Sequence, residues 1–373
     1  MTLITYKCPN CGGRVEFDSS SQMMHCPYCS SNYEVASLSG LDDVLQAPAS
    51  SAAGAPPPSP AERLDWQLPS QTWAEEEQAN MQVYTCKSCA GAIISDATLA
   101  ATSCPYCGNP VVISERFRGY LKPDAIIPFQ LDKNFAKAAL LKHYEGAPLL
   151  PKRFKDENFI NEIKGVYVPF WLFDTICDAD AAYRCTTVRH YSDSDYDYTE
   201  TSEYAVERSG SMVFQRMPVD GSKALADELM ESIEPFNFSQ LVAFQSAYLS
   251  GYFANRYDVD AKAAIPRAEQ RMGSTAASVL ETSVQGYSTV RTERFNAYFR
   301  NPRCTYALLP VWLLSTTFDG KTYTFAMNGQ TGRLVGDLPI DNRRYWGYFA
   351  KVGLGVMAVI FVIAMIFKLI GGW

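Results

Sequence analysis

Two cysteine pairs with 14 residues between them, in YKCPNCGGRVEFDSSSQMMHCPYC from Tyr6 to Cys29, constrain the fold of this chain more than any other feature. The device recurs in YTCKSCAGAIISDATLAATSCPYC, Tyr84 to Cys107, with each of the four cysteines displaced by 78 positions. Four thiolates on two Cys-x-x-Cys knuckles close a tetrahedron around Zn²⁺ and leave no position for water or substrate, so each site is expected to be structural. The expected ligands are Cys8, Cys11, Cys26 and Cys29 for one ion and Cys86, Cys89, Cys104 and Cys107 for the other. Tyr6/Tyr84, Gly13/Gly91, Asp18/Asp96, Pro27/Pro105 and Tyr28/Tyr106 also match at that displacement, so a whole ribbon is repeated, not a ligand set alone. Redox-active dithiols are the competing reading, but a thioredoxin-like pair needs a βαβ context. A ribbon of about 30 residues buries too little apolar surface to fold alone, and the metal supplies the missing free energy.

The ribbons divide the 373 residues into segments. Residues 1–36 form the first ribbon, and 37–80, rich in Ala, Pro and Ser, read as a flexible linker. Trp66 and Trp73 are unusual in such a tract and suit docking or a partly ordered turn. Residues 81–114 form the second ribbon, and 115–340 a larger α+β domain. A ribbon at the end of a linker suggests reach.

Within the α+β region, AIIPFQL, GVYVPFWLFD, TYALLPVWLLSTTF and KTYTFAMNGQTGRLVGD read as strands, with a turn at Asn328-Gly329. A helix is expected after Asp132 as N-cap, stopping at Gly146, with others near 223–231, 241–256 and 264–283. VPFWLF (Val168 to Phe173) and LPVWLL (Leu309 to Leu314) share Pro-x-Trp-Leu and suggest an internal duplication, with IIPFQ and LVAFQ as candidate upstream counterparts.

The last segment, residues 345–370, is apolar enough to cross a ~30 Å hydrocarbon core as a transmembrane helix. Trp346, Tyr348 and Trp373 fall where interfacial aromatics belong. Arg343, Arg344 and Lys351 precede the apolar run and Lys368 follows it, so the positive-inside rule places the preceding domains in the cytoplasm. The opening MTLITYK lacks the apolar run of a signal peptide, and a tail-anchored, single-pass protein of the cell membrane is expected. Thiols there stay reduced, which favours metal over disulfides for the eleven cysteines.

Catalytic and nucleic-acid readings find little support. The net charge is −7, and neither ribbon carries a basic face able to track phosphates, so nucleic-acid binding is disfavoured. Asp193, Asp195 and Asp197 resemble the start of a calcium loop, yet Tyr198 stands where Gly is needed and Tyr204 where Glu is needed, so an acidic hairpin is expected. Gly320-Lys321-Thr322 lacks the Gly of a phosphate loop at Ser315 and reads as a turn. His25, His143 and His190 have no recognisable nucleophile or metal partner. Cys177, Cys185 and Cys304 read as buried small hydrophobes, and the spacing of the first two suggests a pair facing across a hairpin. No small-molecule substrate emerges, and the chain reads as a non-enzyme.

With the ribbons, GVYVPFWLFD, MESIEPF, ALLPVW, YTFAMNGQTGRLVGDLP and the terminal span in view, the chain resembles a family of bacterial membrane-anchored double zinc-ribbon proteins. Its members are often labelled transcription-factor-IIB-type zinc ribbons or relatives of the primosomal replication-restart helicase. The resemblance covers nearly everything except the long Ala/Pro linker. It implies the same eight cysteines as ligands of two structural Zn²⁺ ions. It also implies a membrane adaptor working with a flotillin-like SPFH protein and phage-shock protein A in envelope stress. The alternative is a membrane-tethered nucleic-acid-binding regulator that uses the ribbons.

Overall fold

The computed structural model describes residues 15–27, 29–34, 66–73, 81–89, 91–96, 104–107, 109, 112–116, 120–155, 160 and 162–371. The chain is α+β: mixed sheet and helix, with a four-cysteine cluster and a C-terminal apolar helix.

Two strands form the spine, β8 (Lys164–Ser192) and β12 (Thr289–Phe318). They pair antiparallel over most of their length, with Val168 opposite Leu309. Their inner thirds, where Val166 to Phe173 and Tyr306 to Leu314 are buried, carry continuous apolar sequence because both faces are covered.

The Pro-x-Trp-Leu segments sit at the centre of a pseudo-two-fold that runs through the Val168–Leu309 pair. On one side, β7 (Ala125–Ile126) lies parallel to β12, with Ala125 opposite Ala307; on the other, β11 (Phe253–Asn255) lies parallel to β8, with Phe253 opposite Val166. Each short strand leads to an aspartate that caps a helix. Asp132 accepts from the Phe135 N–H at the start of α1 (Lys133–Tyr144), and Asp260 accepts from the Ala263 N–H at the start of α3 (Ala261–Thr282). Trp312 Nε1 donates to the Leu131 carbonyl at 3.0 Å, and Trp171 Nε1 to the Val259 carbonyl at 2.9 Å, in each case the residue before the cap.

The correspondence continues into the next strands, β9 (Asp197–Asp220) and β13 (Lys321–Asn328). Asp220 pairs with Phe170 as Asn328 pairs with Val311. Gly221 N donates to Pro169 O and Gly329 N to Pro310 O, both at 2.8 Å. The Gly221 carbonyl then receives Asp258 and Val259 N–H, and the Gly329 carbonyl receives Gln130 and Leu131 N–H. The glycines fit because a Cβ on Gly329 would lie 2.6 Å from the Phe129 ring and one on Gly221 3.1 Å from Trp171 Nε1. The upstream counterpart of IIPFQ is therefore the stretch at Phe253–Asn255. LVAFQ instead contributes β10 (Val242–Ala243), which pairs antiparallel with β7.

The halves differ in length. Beyond register shifts at Phe173/Thr175 and Arg300/Arg303, strands β9, β8 and β12 run on as a three-stranded arm. Side chains alternate along it. Cys177, Ala179, Ala181, Tyr183 and Cys185 bury one face against Ala276 and Leu280 of α3, while the other carries Arg300–Asp178, Arg294–Asp180 and Arg184–Glu293 pairs. Cys177 and Cys185 thus share one strand and one face; they do not face each other across a hairpin. At the tip, Asp193 accepts from the Asp195 and Tyr196 N–H groups at 2.9 Å, so the acidic run is a hairpin turn.

The helix expected over 241–256 is absent. That stretch forms β10, a 3-10 turn Ser246–Leu249 and β11, with Gly251 at φ +89° breaking any helix, and its backbone groups serve the sheet instead. The other helices are α1, with Gly146 at φ +78° just beyond it, a short α2 (Asp227–Ser232) and α3. The turn after Asn328 is wider than a two-residue hairpin. Asn328 N bonds to Arg333 O before β14 (Leu334–Gly336) returns along β13.

Both tryptophans of the linker dock on the body. The Trp66 ring meets Phe173 edge-on at 5.0 Å, and buried Trp73 meets Phe244 at 5.5 Å and donates to the Leu121 carbonyl. The chain ends in α4 (Asn342–Gly371), whose start is tied to the body by Asp341 N donating to Leu149 O and Arg344 Nη1 to Leu150 O.

Candidate metal centre

The second ribbon is built from β4 (Met81–Thr85), β5 (Ala92–Asp96) and β6 (Val112–Arg116). It extends the central sheet, since β5 pairs antiparallel with β11, Ile94 opposite Ala254. Its knuckles therefore stand beside that sheet. Each knuckle closes by the same backbone bond: Cys86 N donates to Gly91 O at 3.0 Å and Cys104 N to Asn109 O at 2.7 Å. Gly91 is required at its position because a Cβ there would fall 2.7 Å from the buried Tyr106 ring.

These turns bring Cys86, Cys89, Cys104 and Cys107 together with all four Sγ atoms within 4.8 Å. Cys86 and Cys107 Sγ are 3.4 Å apart, and Cys89 and Cys104 Sγ 3.6 Å. No disulfide joins them. A tetrahedron with metal–sulfur bonds of ~2.3 Å has edges of ~3.8 Å, so the cluster fits one metal ion with little movement. Four soft sulfur donors suit a thiophilic ion and leave no open position.

The surroundings prepare the thiols unequally. Burial opposes ionisation of Cys86, but the backbone N–H groups of Cys89 and Ser88 outweigh it and bring the thiol down to about 7. Burial pushes Cys89 up to about 11 and Cys104 higher still. A cluster whose members resist ionising together needs a cation to become four thiolates. Tyr106 N–H and Asn109 Nδ2 reach Cys104 and Cys107 Sγ at 3.4 and 3.5 Å and would share the thiolate charge.

Of the first ribbon's expected ligands, Cys8 and Cys11 lie outside the described residues. Cys26 is buried and Cys29 half-buried beside β1 (Glu16–Asp18), β2 (Met23–His25) and β3 (Asn32–Tyr33). Cys26 N donates to Ser31 O at 2.9 Å, the same five-residue closure as at Cys86 and Cys104. This ribbon packs on the body: Phe17 meets Tyr248 at 5.2 Å, Ser250 Oγ donates to Val15 O, and Gln22 Nε2 reaches Phe129 O. The reach suggested by the linker does not apply to these residues. His25, His143 and His190 bond to Asn32, Gly336 and Thr199 respectively.

The apolar helix is a second candidate element. Its membrane-length stretch, Asn342–Ile366, spans 25 residues, none of them buried against the rest of the chain. By length and composition it is a candidate membrane span.

Sequence reasoning overlooked the acidic corner at Asp220. The signal available was the match of Val219-Asp220-Gly221 with Met327-Asn328-Gly329.

No protein-family model matches the chain, and no solved structure matches it. The chain is 31% identical over 363 residues to a Bacillus subtilis (strain 168) protein designated uncharacterized protein YdjG, an alignment covering 97% of this chain and 98% of that one. With end-to-end similarity at that level, the chain belongs to the same family as YdjG.

Proposed function

We propose that this protein is a non-enzymatic, membrane-anchored zinc-ribbon adaptor that holds cytosolic proteins at the membrane. The observation that carries the reading is the pairing of a closed four-cysteine cluster with an unburied apolar helix on one chain. The cluster offers a metal no position for substrate, which suits a clamp that shapes a docking surface. The helix has no partner surface in the fold among the described residues, which suits lipid as its surroundings. Zinc is the proposed ion, one in each ribbon, with Cys8, Cys11, Cys26 and Cys29 holding the first and Cys86, Cys89, Cys104 and Cys107 the second. The excess of Arg343, Arg344 and Lys351 over Lys368 supports a cytoplasmic location for the ribbons. By resemblance the partners are a flotillin-like SPFH protein and phage-shock protein A, in the response to envelope stress.

The test is affinity recovery from detergent-solubilised membranes of wild type and a variant with ribbon Cys→Ser changes, with and without nuclease. The expected outcome is a protein partner that resists nuclease and is lost with the ribbon cysteines, while the variant still fractionates with membranes. Partner capture that survives loss of both ribbons would sink the docking role. Recovery that collapses with nuclease would instead favour a nucleic-acid regulator.

A further inference from the structure

The three-stranded arm has two edges, and neither is paired with a further strand among the described residues. From Asp197 to Phe214, β9 pairs only with β8; from Thr289 to Arg300, β12 also pairs only with β8. An open strand edge is a template for another strand, and it is ordinarily blunted by Pro, Lys, bulges or short length. The β9 stretch contains no Pro or Lys, and its register with β8 is unbroken. The β12 stretch also lacks both residues and is interrupted only at Glu293.

The two edges carry opposite charge. Asp197, Glu200, Glu203 and Glu207 against Arg208 make β9 acidic, and Arg291, Arg294 and Arg300 against Glu293 make β12 basic. Because α3 covers one face of the arm, the other face is open, and Glu203 and Glu207 of β9 lie on it with Arg291, Arg294 and Arg300 of β12. All five are exposed. Arg300 is held by Asp178, and Arg294 reaches Asp180 and Glu207 only at 3.7 and 4.0 Å. Glu203 and Arg291 form no ion pair among the described residues. Two apolar side chains share the open face, Val213 on β9 at 66% exposure and Tyr298 on β12 at 59%. A strand added at either edge would cover one of them.

We propose that the arm is a self-association surface, on which β9 of one copy of this chain adds to β12 of a second copy and sets Glu203 and Glu207 against Arg291 and Arg294. A second copy is the occupant because the chain carries both halves of the charge match. Pairing β9 with β9, or β12 with β12, would place like charges side by side, which is destabilising. The unlike edges therefore join head to tail, an arrangement that closes into a ring or continues as a row. The contact requires neither the metal nor the apolar helix.

The test is sedimentation velocity of the full, zinc-loaded chain in nonionic detergent. Wild type is expected to associate as its concentration rises, and less so at high salt. Glu203→Lys with Glu207→Lys makes both edges basic, while Arg291→Glu with Arg294→Glu makes both acidic. Each double variant alone is expected to associate at least roughly tenfold more weakly, because attraction across the pair becomes repulsion. An equimolar mixture of the two is expected to recover association, which neither a folding defect nor contact through the apolar helices would produce. If the arginine variant does not fold by circular dichroism, Arg291→Glu alone replaces it in the mixture. A wild type that stays monomeric at every concentration overturns the proposal. So does association that persists undiminished in either variant alone, or a mixture that shows no recovery.

Discussion

A single carboxyl separates the two halves of the fold chemically. Because burial raises the Asp220 carboxyl to about 7, the folded chain holds this proton more tightly than the unfolded chain, whose aspartates titrate near 4. The folded state is therefore favoured by this residue at low pH, and that advantage is lost as pH rises from about 4 through 7. The melting temperature of wild type is expected to fall more between pH 5.5 and pH 8 than that of Asp220→Asn, as followed by circular dichroism. The caps make a second residue-scale prediction. Asp132 and Asp260 each satisfy one helix N–H, and Asp132→Ala is expected to cost about 1 kcal/mol in a denaturant titration.

Among the elements, α3 is the one whose face most closely matches its support. Ala261, Ala264, Ala268, Met272, Ala276 and Leu280 are its buried residues, at spacings of three and four, and the small ones let the helix lie close on the sheet and arm. Leu280→Ala is expected to destabilise by about 2–5 kcal/mol and to loosen the arm first, read as faster amide exchange over 177–185 than over 166–173. Elements were unevenly legible in the sequence. Cysteine spacing located the second cluster because ligand geometry permits few spacings, and Asp132 announced its helix because capping is local. The stretch 241–256 misled because FQSAYLSGYF carries apolar residues at helical intervals while its partners, β7 and β8, lie more than 70 residues away. The arm was illegible for a related reason: along β8 its outward alternation continues an apolar strand without a turn residue, and Asn301-Pro302 alone marks the break in β12.

For the whole molecule, the cluster and the terminal helix make separable predictions. Cys104→Ser removes one donor from the four-cysteine cluster, and it is expected to lower bound zinc by one equivalent per chain, measured by metal release. Removing residues 346–373 deletes the unburied stretch and keeps the Arg344 contact to Leu150, so the remaining chain is expected to leave the membrane fraction with its melting temperature unchanged. Much of the pseudo-two-fold was available to a reader of the sequence in Pro-x-Trp-Leu, and the second marker, Asp-Gly matched to Asn-Gly, sits 49 residues after the first Trp and 16 after the second. Unequal strand lengths hid it.

The pseudo-two-fold also bears on how such a chain diversifies. A symmetric pair of separate half-length chains would carry two identical corners, so a change at one would be imposed on both. Joining the halves in one polypeptide lets natural selection act on each copy independently. One corner is closed by an amide, while the other carries an acid whose Oδ2 has no hydrogen-bond partner. By the same logic, length added beyond the shared register lengthens one copy into an arm and leaves its twin a short hairpin.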